Sequence, residues 1–363
     1  MMTDPNRILN ISDYNDFYGG LNDTDLQNST EFVVDEKTLL CSSASMVDAV
    51  NIAFCVLFVF IFLMAIPGNL IVGWVIISHK HLLTASDVYL FNLMLADTLL
   101  ALILPFSAFS VIQGWVFGDI ACKLVCLVKE MNFYTSILFL VCISVDRYMV
   151  IVRAMESQKA QRRLCSGVAC AFVWVFGLVL SLPSFYNEVY YEPVSQQTIC
   201  AERFETNNAD EWRLATRIMR HLLGFLFPLV VMLICYSLTV ERLLRTRCFQ
   251  KQRAMKVIVA VVVAFLLCWT PFHVSTIVDT LLRARVVQFS CSTQTSVDVA
   301  MFVTQNLGLL HCCVNPWLYA FVGEKFRKRF LQMLHRKRVL ESFCLSRSSR
   351  ATSLTSEATS SFL

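Results

Sequence analysis

The chain has 363 residues, of which 56% are hydrophobic and only 16% charged, with a mean hydropathy of +0.58. Soluble domains are about one-quarter charged, so this composition argues against a soluble globule and for a chain that lives in lipid. The formal charge of +4 carries no signal for nucleic acid, because the charges are segregated along the chain rather than gathered into a basic surface.

Residues 1–46 are polar and acidic: Asp4, Asp13, Asp16, Asp23, Asp25, Glu31, Asp35 and Glu36 stand against only Arg7 and Lys37. The opening residues have no apolar core with a basic flank, so no cleavable signal peptide is expected and the first apolar span must itself direct insertion. Such a tail is too polar to form a core and is expected to be disordered when free. Asp13, Tyr14, Asp16 and Tyr18 suit docking of a cationic partner through charge steering followed by ring contact. The competing reading is a solubilising spacer. Tyrosines flanked by acids are also candidates for sulfation. Asn10, Asn22 and Asn28 each open an Asn-x-Ser/Thr triplet, a glycosylation acceptor where the tail lies outside the cell.

Seven apolar stretches follow, at roughly Val47–Ile77, Val88–Ile112, Leu124–Val145, Ser166–Tyr186, Ile218–Val240, Val257–Val278 and Ser296–Phe321. A helix of about 20 residues crosses a hydrocarbon core of about 30 Å, and spans of this length satisfy their own backbone as helices. The expected fold is an all-α membrane protein, a seven-transmembrane helix bundle over 47–321. Bases crowd three connecting segments: Arg153, Lys159, Arg162 and Arg163; Arg242, Arg245, Arg247, Lys251, Arg253 and Lys256; and Lys325, Arg327, Lys328 and Arg329. The positive-inside rule then puts the N-terminus outside and the C-terminus in the cytosol.

In span one, Pro67-Gly68-Asn69 joins a helix-loosening proline to a buried amide. Span two carries Asp97, which costs several kcal/mol in hydrocarbon unless it is paired, protonated or bound to a cation. Asn69, Asn132, Ser136 and Asn315 lie at depths from which they can complete a polar cluster around it. A monovalent cation or water network, a proton relay and a purely structural network all fit. Pro105 bends the outer part of span two, and Trp115 reads as an interfacial aromatic. On span three, Lys129, Asn132, Ser136, Leu140, Ile143 and Arg147 recur at helical spacing, a stripe that should face protein. The following extracellular loop holds Cys200 among Glu188, Glu192, Glu202, Arg203 and Glu205.

Span five opens with Arg213, Arg217 and Arg220; the first two are i,i+4 neighbours that repel unless an acid intervenes, from a ligand or from a neighbouring segment. Snorkelling to the interface is the simpler explanation for Arg213. Pro228, Pro271 and Pro316 interrupt spans five, six and seven, and with Tyr236, Trp269 and Tyr319 they suggest movable helices. Beyond Tyr319, Phe326, Phe330, Leu331 and Leu334 share one face among bases, predicting a short cytosolic amphipathic eighth helix over 322–334. Residues 335–363 form a disordered Ser/Thr-rich tail open to phosphorylation. Of fifteen cysteines, most lie within spans as small hydrophobes. Cys41, Cys122, Cys200 and Cys291 fall in the outer segments, where disulfides persist, and their spacing leaves three connectivities open.

The chain has no phosphate loop, HExxH or dinucleotide fingerprint, and its six histidines are too scattered for a metal cluster. Enzymatic activity has little support. A transporter would show duplicated halves, and a channel would need filter-like rings from an oligomer.

Asn69; Leu95-Ala96-Asp97; Asp146-Arg147-Tyr148; Trp174; Pro228 with Tyr236; Cys268-Trp269-Thr270-Pro271; and Asn315-Pro316-Trp317-Leu318-Tyr319 together resemble the rhodopsin-like G-protein-coupled receptors, from about Val47 to Leu334. Within that family the chain resembles the chemokine receptors of the CXC subclass. The residues that carry this are Lys129-Glu130-Met131-Asn132-Phe133-Tyr134, Leu104-Pro105-Phe106, Trp115-Val116-Phe117-Gly118, His311-Cys312-Cys313-Val314-Asn315-Pro316 and the four outer cysteines. Glu211-Trp212-Arg213 and Asp279-Thr280-Leu281-Leu282-Arg283 are similar to the interleukin-8 type, and the Ser/Thr-rich ending to the B-cell follicle-homing type.

The resemblance implies a plasma-membrane receptor whose acidic tail holds a CXC chemokine while the chemokine's flexible end enters a pocket between the spans. It implies disulfides Cys122–Cys200 and Cys41–Cys291, and a ligand set drawn from Lys129, Glu202, Arg213, Arg217, Asp279, Asp298 and Gln305. Asp146, Arg147, Tyr148, Tyr236, Trp269, Pro271, Asn315, Pro316 and Tyr319 would serve activation and coupling to a Gi-type heterotrimeric G protein. A sodium ion would sit at Asp97, Asn132, Ser136 and Asn315; receptor kinases and arrestin would act on the tail; homo-oligomers are compatible. Two departures stand out. Gln305 occupies the position where the family usually has a glutamate, so that contact must weaken or move to Asp279, Asp298 or Glu130. Met149-Val150 replaces the usual Leu-Ala after Asp-Arg-Tyr. The intact Asp146-Arg147-Tyr148 favours signalling over the alternative, an atypical receptor that internalises chemokine without G-protein coupling.

Overall fold

The computed structural model describes residues 48–78, 83–153, 159–192, 196–203, 209–245, 249–283, 286, 290–322, 327, 328 and 330–332. Its helices are α1 (Asp48–Ser78), α2 (Ala85–Gln113), α3 (Gly118–Ile151), α4 (Lys159–Leu180), α5 (Ala209–His221), α6 (Phe227–Arg245), α7 (Phe249–Arg283), α8 (Cys291–Gly308) and α9 (His311–Val322). A π turn, Leu222–Leu226, fuses α5 to α6 into the fifth span, and α8 with α9 makes the seventh. All seven expected spans are present as helices long and apolar enough to cross a membrane. Outer and inner ends are named here from the charge asymmetry of the loops. Helical residues recur at Arg327, Lys328 and 330–332, with Phe330 half-buried and Arg327 and Lys328 exposed.

Faces of these helices are set by packing more than by hydropathy. On α1, Phe54, Phe58, Ile61, Ala65, Asn69 and Val72 are buried at i,i+3/i+4 spacing, while Ile52, Val56, Val59, Phe60 and Leu63 are exposed. Both faces are apolar, because the outer one meets lipid rather than water. The helix starts follow ordinary capping chemistry. Thr84 and Asp87 form a reciprocal capping box at α2, and Ser290 caps α8 by accepting from the Thr293 backbone N–H at 3.2 Å.

The prolines disturb the helices where a neighbour compensates. Pro316 lacks an N–H, which frees the carbonyl of Cys312 four residues earlier; the Asn69 amide donates to that oxygen at 3.0 Å. Gly68 allows the approach, since a Cβ there would come within 2.9 Å of the Pro316 ring. Asn69 therefore ties α1 to α9, rather than joining the cluster around Asp97 as its depth suggested. At Pro228 the carbonyl four residues back belongs to Gly224 inside the π turn. A Cβ on Gly224 would meet the Phe133 ring at 2.4 Å, so glycine is what lets span five pass this close to α3.

The loop after α4 folds into a hairpin, β1 (Asn187–Glu192) antiparallel to β2 (Gln197–Glu202), with Val189 opposite Cys200. Cys200 is bonded to Cys122 on α3. The backbone N–H of Trp115 donates to the Thr198 carbonyl at 2.6 Å, and that of Val189 to Asp119 Oδ1 at 3.3 Å. Trp115 is thus buried beneath the hairpin, 4% exposed, and is not the interfacial aromatic its loop position suggested.

Candidate functional site

Below the hairpin lies a cavity of about 490 Å³ whose wall draws on every span except the fourth. Its floor is aromatic: Trp269, with its ring centroid 4.7 Å from that of Phe133 and 5.9 Å from that of Phe272. Its rim is β2, through Cys200, Ala201 and Glu202. A concave, largely apolar site with a few placed charges is the usual form of a ligand pocket.

The charges of the wall are mostly spoken for. Arg217 Nη2 lies 2.6 Å from Asp279 Oδ2, and Asp279, fully buried, also accepts from Arg283 Nε at 2.9 Å and from the Gln294 amide at 2.9 Å. Arg220 Nε donates to Glu130 at 2.8 Å, with Glu202 a further 3.9 Å contact. Of the two origins considered for the acid between Arg213 and Arg217, the structure supplies the internal one, Asp279 from span six. Arg213 lies outside the cavity wall. Of the three bases Lys129, Arg213 and Arg217 expected to receive a ligand acid, Arg217 is paired with Asp279, Arg213 stands off the cavity wall and Lys129 lies on it. Of the three acids considered in place of Gln305, Asp279 and Glu130 are engaged. Asp298 is 40% exposed, accepts from the Gln294 amide at 2.9 Å and meets Arg283 at 3.8 Å. Gln305 itself lies exposed on the cavity wall.

Lys129 is different. It is half-buried on the cavity wall and has no hydrogen-bond or ion-pair partner among the described residues. Its ammonium therefore faces the cavity uncompensated.

Deeper in the bundle, Asp97 is fully buried. Asn315 Nδ2 donates to it at 2.8 Å, Asn132 Nδ2 at 3.2 Å and Ser136 Oγ at 3.3 Å, and His311 Nε2 stands 3.7 Å away. Of the residues expected around Asp97, Asn132, Ser136 and Asn315 are brought to it and Asn69 is not. The carbonyl oxygens of Asn132 and Asn315 are buried with no partner. A carboxylate, a hydroxyl and two free amide oxygens form the all-oxygen donor set that a hard cation takes, so the residues present fit a sodium ion. His311 was the member missed, dismissed as one of six scattered histidines. Its i,i+4 relation to Asn315 was the available signal, since it puts both on one face. His311 also reaches upward: its ring centroid is 5.7 Å from that of Trp269.

At the inner end, Asp146 accepts from Ser86 and pairs with Arg162 rather than with its neighbour Arg147. The Nε of Arg147 is buried without a partner, and Tyr148 is half-buried. Tyr236 hydrogen-bonds Ser144 on α3 at 2.7 Å. Pro271 stands two residues beyond Trp269 inside α7. The side chain of Tyr319, the Cys41–Cys291 pair, Asp13, Tyr14, Asp16, Tyr18 and the acceptors Asn10, Asn22 and Asn28 lie outside the described residues.

A pocket at one end, a buried polar relay and a basic inner face on seven spans define a membrane receptor. The profile described as "7 transmembrane receptor (rhodopsin family)" matches residues 68–319, and the chain belongs to that family. It is a multi-pass plasma-membrane protein, and a signal-transducing receptor rather than an enzyme. Its particular likeness is to the C-X-C chemokine receptors. It is 43% identical to C-X-C chemokine receptor type 1 of Oryctolagus cuniculus over 304 residues, 84% of this chain and 85% of that protein. To the Homo sapiens type 1 receptor it is 43% identical over 298 residues, 82% and 84% of the two chains. To the type 2 receptor of Oryctolagus cuniculus it is 39% identical over 351 residues, 95% of each.

Proposed function

We propose that the chain binds a CXC chemokine and passes the signal to a heterotrimeric G protein of the Gi type, leading to calcium release and chemotaxis. The observation that carries this is the unpaired ammonium of Lys129 in a cavity where the neighbouring bases Arg217 and Arg220 are already neutralised. The acidic tail, with Asp13, Tyr14, Asp16 and Tyr18, captures the basic body of the ligand. An acidic group on the ligand's flexible end then enters the cavity and pairs with Lys129. Its bulk presses on Trp269, which touches both span three through Phe133 and the Asp97 network through His311. Span six moves about Pro271, and Arg147, not held by Asp146, is available to the G protein. Asp97, Asn132, Ser136 and Asn315 would hold a sodium ion, whose charge would answer the buried carboxylate in the resting arrangement. Receptor kinases and arrestin act afterwards on the Ser/Thr-rich tail.

The test is a panel of CXC chemokines applied to cells expressing the chain, reading calcium release and cAMP. At least one should release calcium and lower cAMP in a pertussis-toxin-sensitive way, and Arg147→Ala should abolish the response while surface binding persists. Uptake of ligand with no G-protein response would overturn the coupling and favour the internalising alternative.

A further inference from the structure

Three sulfur atoms meet at the cavity rim. The Sγ atoms of Cys122, Cys126 and Cys200 all lie within 4.8 Å of one another. Cys122 and Cys200 form the disulfide that holds the hairpin on α3. Cys126 is a free thiol, half-buried and part of the cavity wall, with its Sγ 3.7 Å from that of Cys200. Two of the three sulfurs are already bonded to each other, so the group is a redox cluster and not a metal cage.

Cys122 and Cys126 are i,i+4 on α3 and present their sulfurs on one face. Cys200, from the hairpin, faces both. A disulfide sulfur bond is about 2.05 Å long, so Cys200 needs to close roughly 1.7 Å on Cys126 to change partner; because all three sulfurs lie within 4.8 Å, Cys126 must also rotate to the side of Cys200 opposite Cys122 before it can attack in line. The hairpin keeps it in reach: Trp115 binds Thr198 at 2.6 Å, and the Arg203 backbone N–H donates to the Tyr186 carbonyl at 3.0 Å. These contacts, at Thr198 and Arg203, flank Cys200 on either side along the chain and depend on neither sulfur of α3.

We propose that the hairpin exists in two disulfide registers, Cys122–Cys200 and Cys126–Cys200, interconverted by thiol–disulfide exchange at Cys200. The Cys126 thiolate attacks Cys200 Sγ, a Cys126–Cys200 bond forms as the Cys122–Cys200 bond breaks, and the Cys122 thiolate leaves and takes up a proton. No net oxidation occurs, so no external oxidant or reductant is needed. Cys126 stands about 6 Å further along the helix than Cys122. The second register therefore draws β2, with Ala201 and Glu202, toward the cavity and narrows its mouth.

Full-length wild-type receptor in membranes is incubated at pH 8 without reductant, quenched in acid, alkylated with N-ethylmaleimide and mapped by peptide mass spectrometry. Both Cys122 and Cys126 should carry label, with Cys200 recovered in disulfides to each. Label on Cys126 alone overturns the proposal. In Cys122→Ser, Cys200 should be found bonded to Cys126 and surface protein should persist, falling at least about tenfold further in Cys122→Ser/Cys126→Ser, given the usual worth of a disulfide. An alkylated Cys200 in Cys122→Ser, with both variants equally depleted, also overturns it. If Cys122→Ser yields too little protein to map, the wild-type labelling decides alone.

Discussion

Lys129 and Asp97 are two polar centres that, among the described residues, lack a full opposite charge, and they differ in sign, depth and enclosure. Around Lys129, the other cations are answered by carboxylates from different elements: Arg217 by Asp279 and Arg220 by Glu130. Around Asp97, the partners are neutral amides, a hydroxyl and an imidazole at 3.7 Å. The lysine opens onto a cavity of about 490 Å³, large enough for a peptide segment. The aspartate is sealed at 0% exposure, with no opening to a ligand chain. In the function proposed above, the charge in the open cavity receives the ligand and the charge in the closed network holds the resting state.

The largest effect should come from breaking the self-satisfied part of the outer wall. Asp279→Ala leaves Arg217 buried without its acid, which costs about 3–5 kcal/mol and should appear as lost surface expression and a lowered thermal-unfolding midpoint in detergent. Replacing both partners, Arg217→Met with Asp279→Leu, should restore most of that stability. Full stability in Asp279→Ala alone would mean that the outer charges are not paired as described. Next, Lys129→Met should weaken chemokine potency by about 10- to 100-fold, the worth of one charge-assisted contact, with Lys129→Glu worse and Arg213→Gln nearly silent. Dose–response curves for calcium release that rank Arg213→Gln with Lys129→Met would erase the distinction between paired and unpaired bases.

The centre at Asp97 is examined through the ion. Exchanging sodium for choline should raise agonist affinity in the wild type by about 5- to 100-fold, the usual range of coupling between two sites, and Asp97→Asn should abolish that dependence in radioligand competition. A sodium response that survives in Asp97→Asn would remove the ion from this site. The smallest effect is reserved for Gln305→Glu. Placing an acid on the cavity wall gives Lys129 an internal partner, and the half-exposed setting limits the loss of potency to about two- to fivefold. A gain in potency would show that the ligand brings a cation to this wall rather than an acid.

Much of the site was legible in the sequence. Asp97, Asn132, Ser136 and Asn315 declared themselves because a polar residue in hydrocarbon needs a polar partner, and their depths matched. His311 did not stand out: its i,i+4 relation to Asn315 puts both on one face, but the distance of 3.7 Å to Asp97 on another span is a tertiary fact. Asn69 had the right depth and the wrong assignment: the carbonyl freed by Pro316 claimed its amide. The pairing of Arg217 with Asp279 joins residues 62 positions apart on spans five and six, and no periodicity within either span foretells it. Cys126 looked like one more inert cysteine until the hairpin brought Cys200 within 3.7 Å.

Sequence alone determined the seven spans and the sidedness of their loops, because lipid demands about 20 apolar residues with an internally bonded backbone and leaves the bases on one side. Tertiary structure alone decided which face of each span turns inward and which charges meet. In a helix that is apolar all round, hydropathy does not distinguish lipid from protein, and the register between helices is set by close contacts such as Gly224 against Phe133 and Gly68 against Pro316. With the helices so placed, Arg217 meets Asp279 and Arg220 meets Glu130, and Lys129 is left on the cavity wall with no carboxylate partner among the described residues.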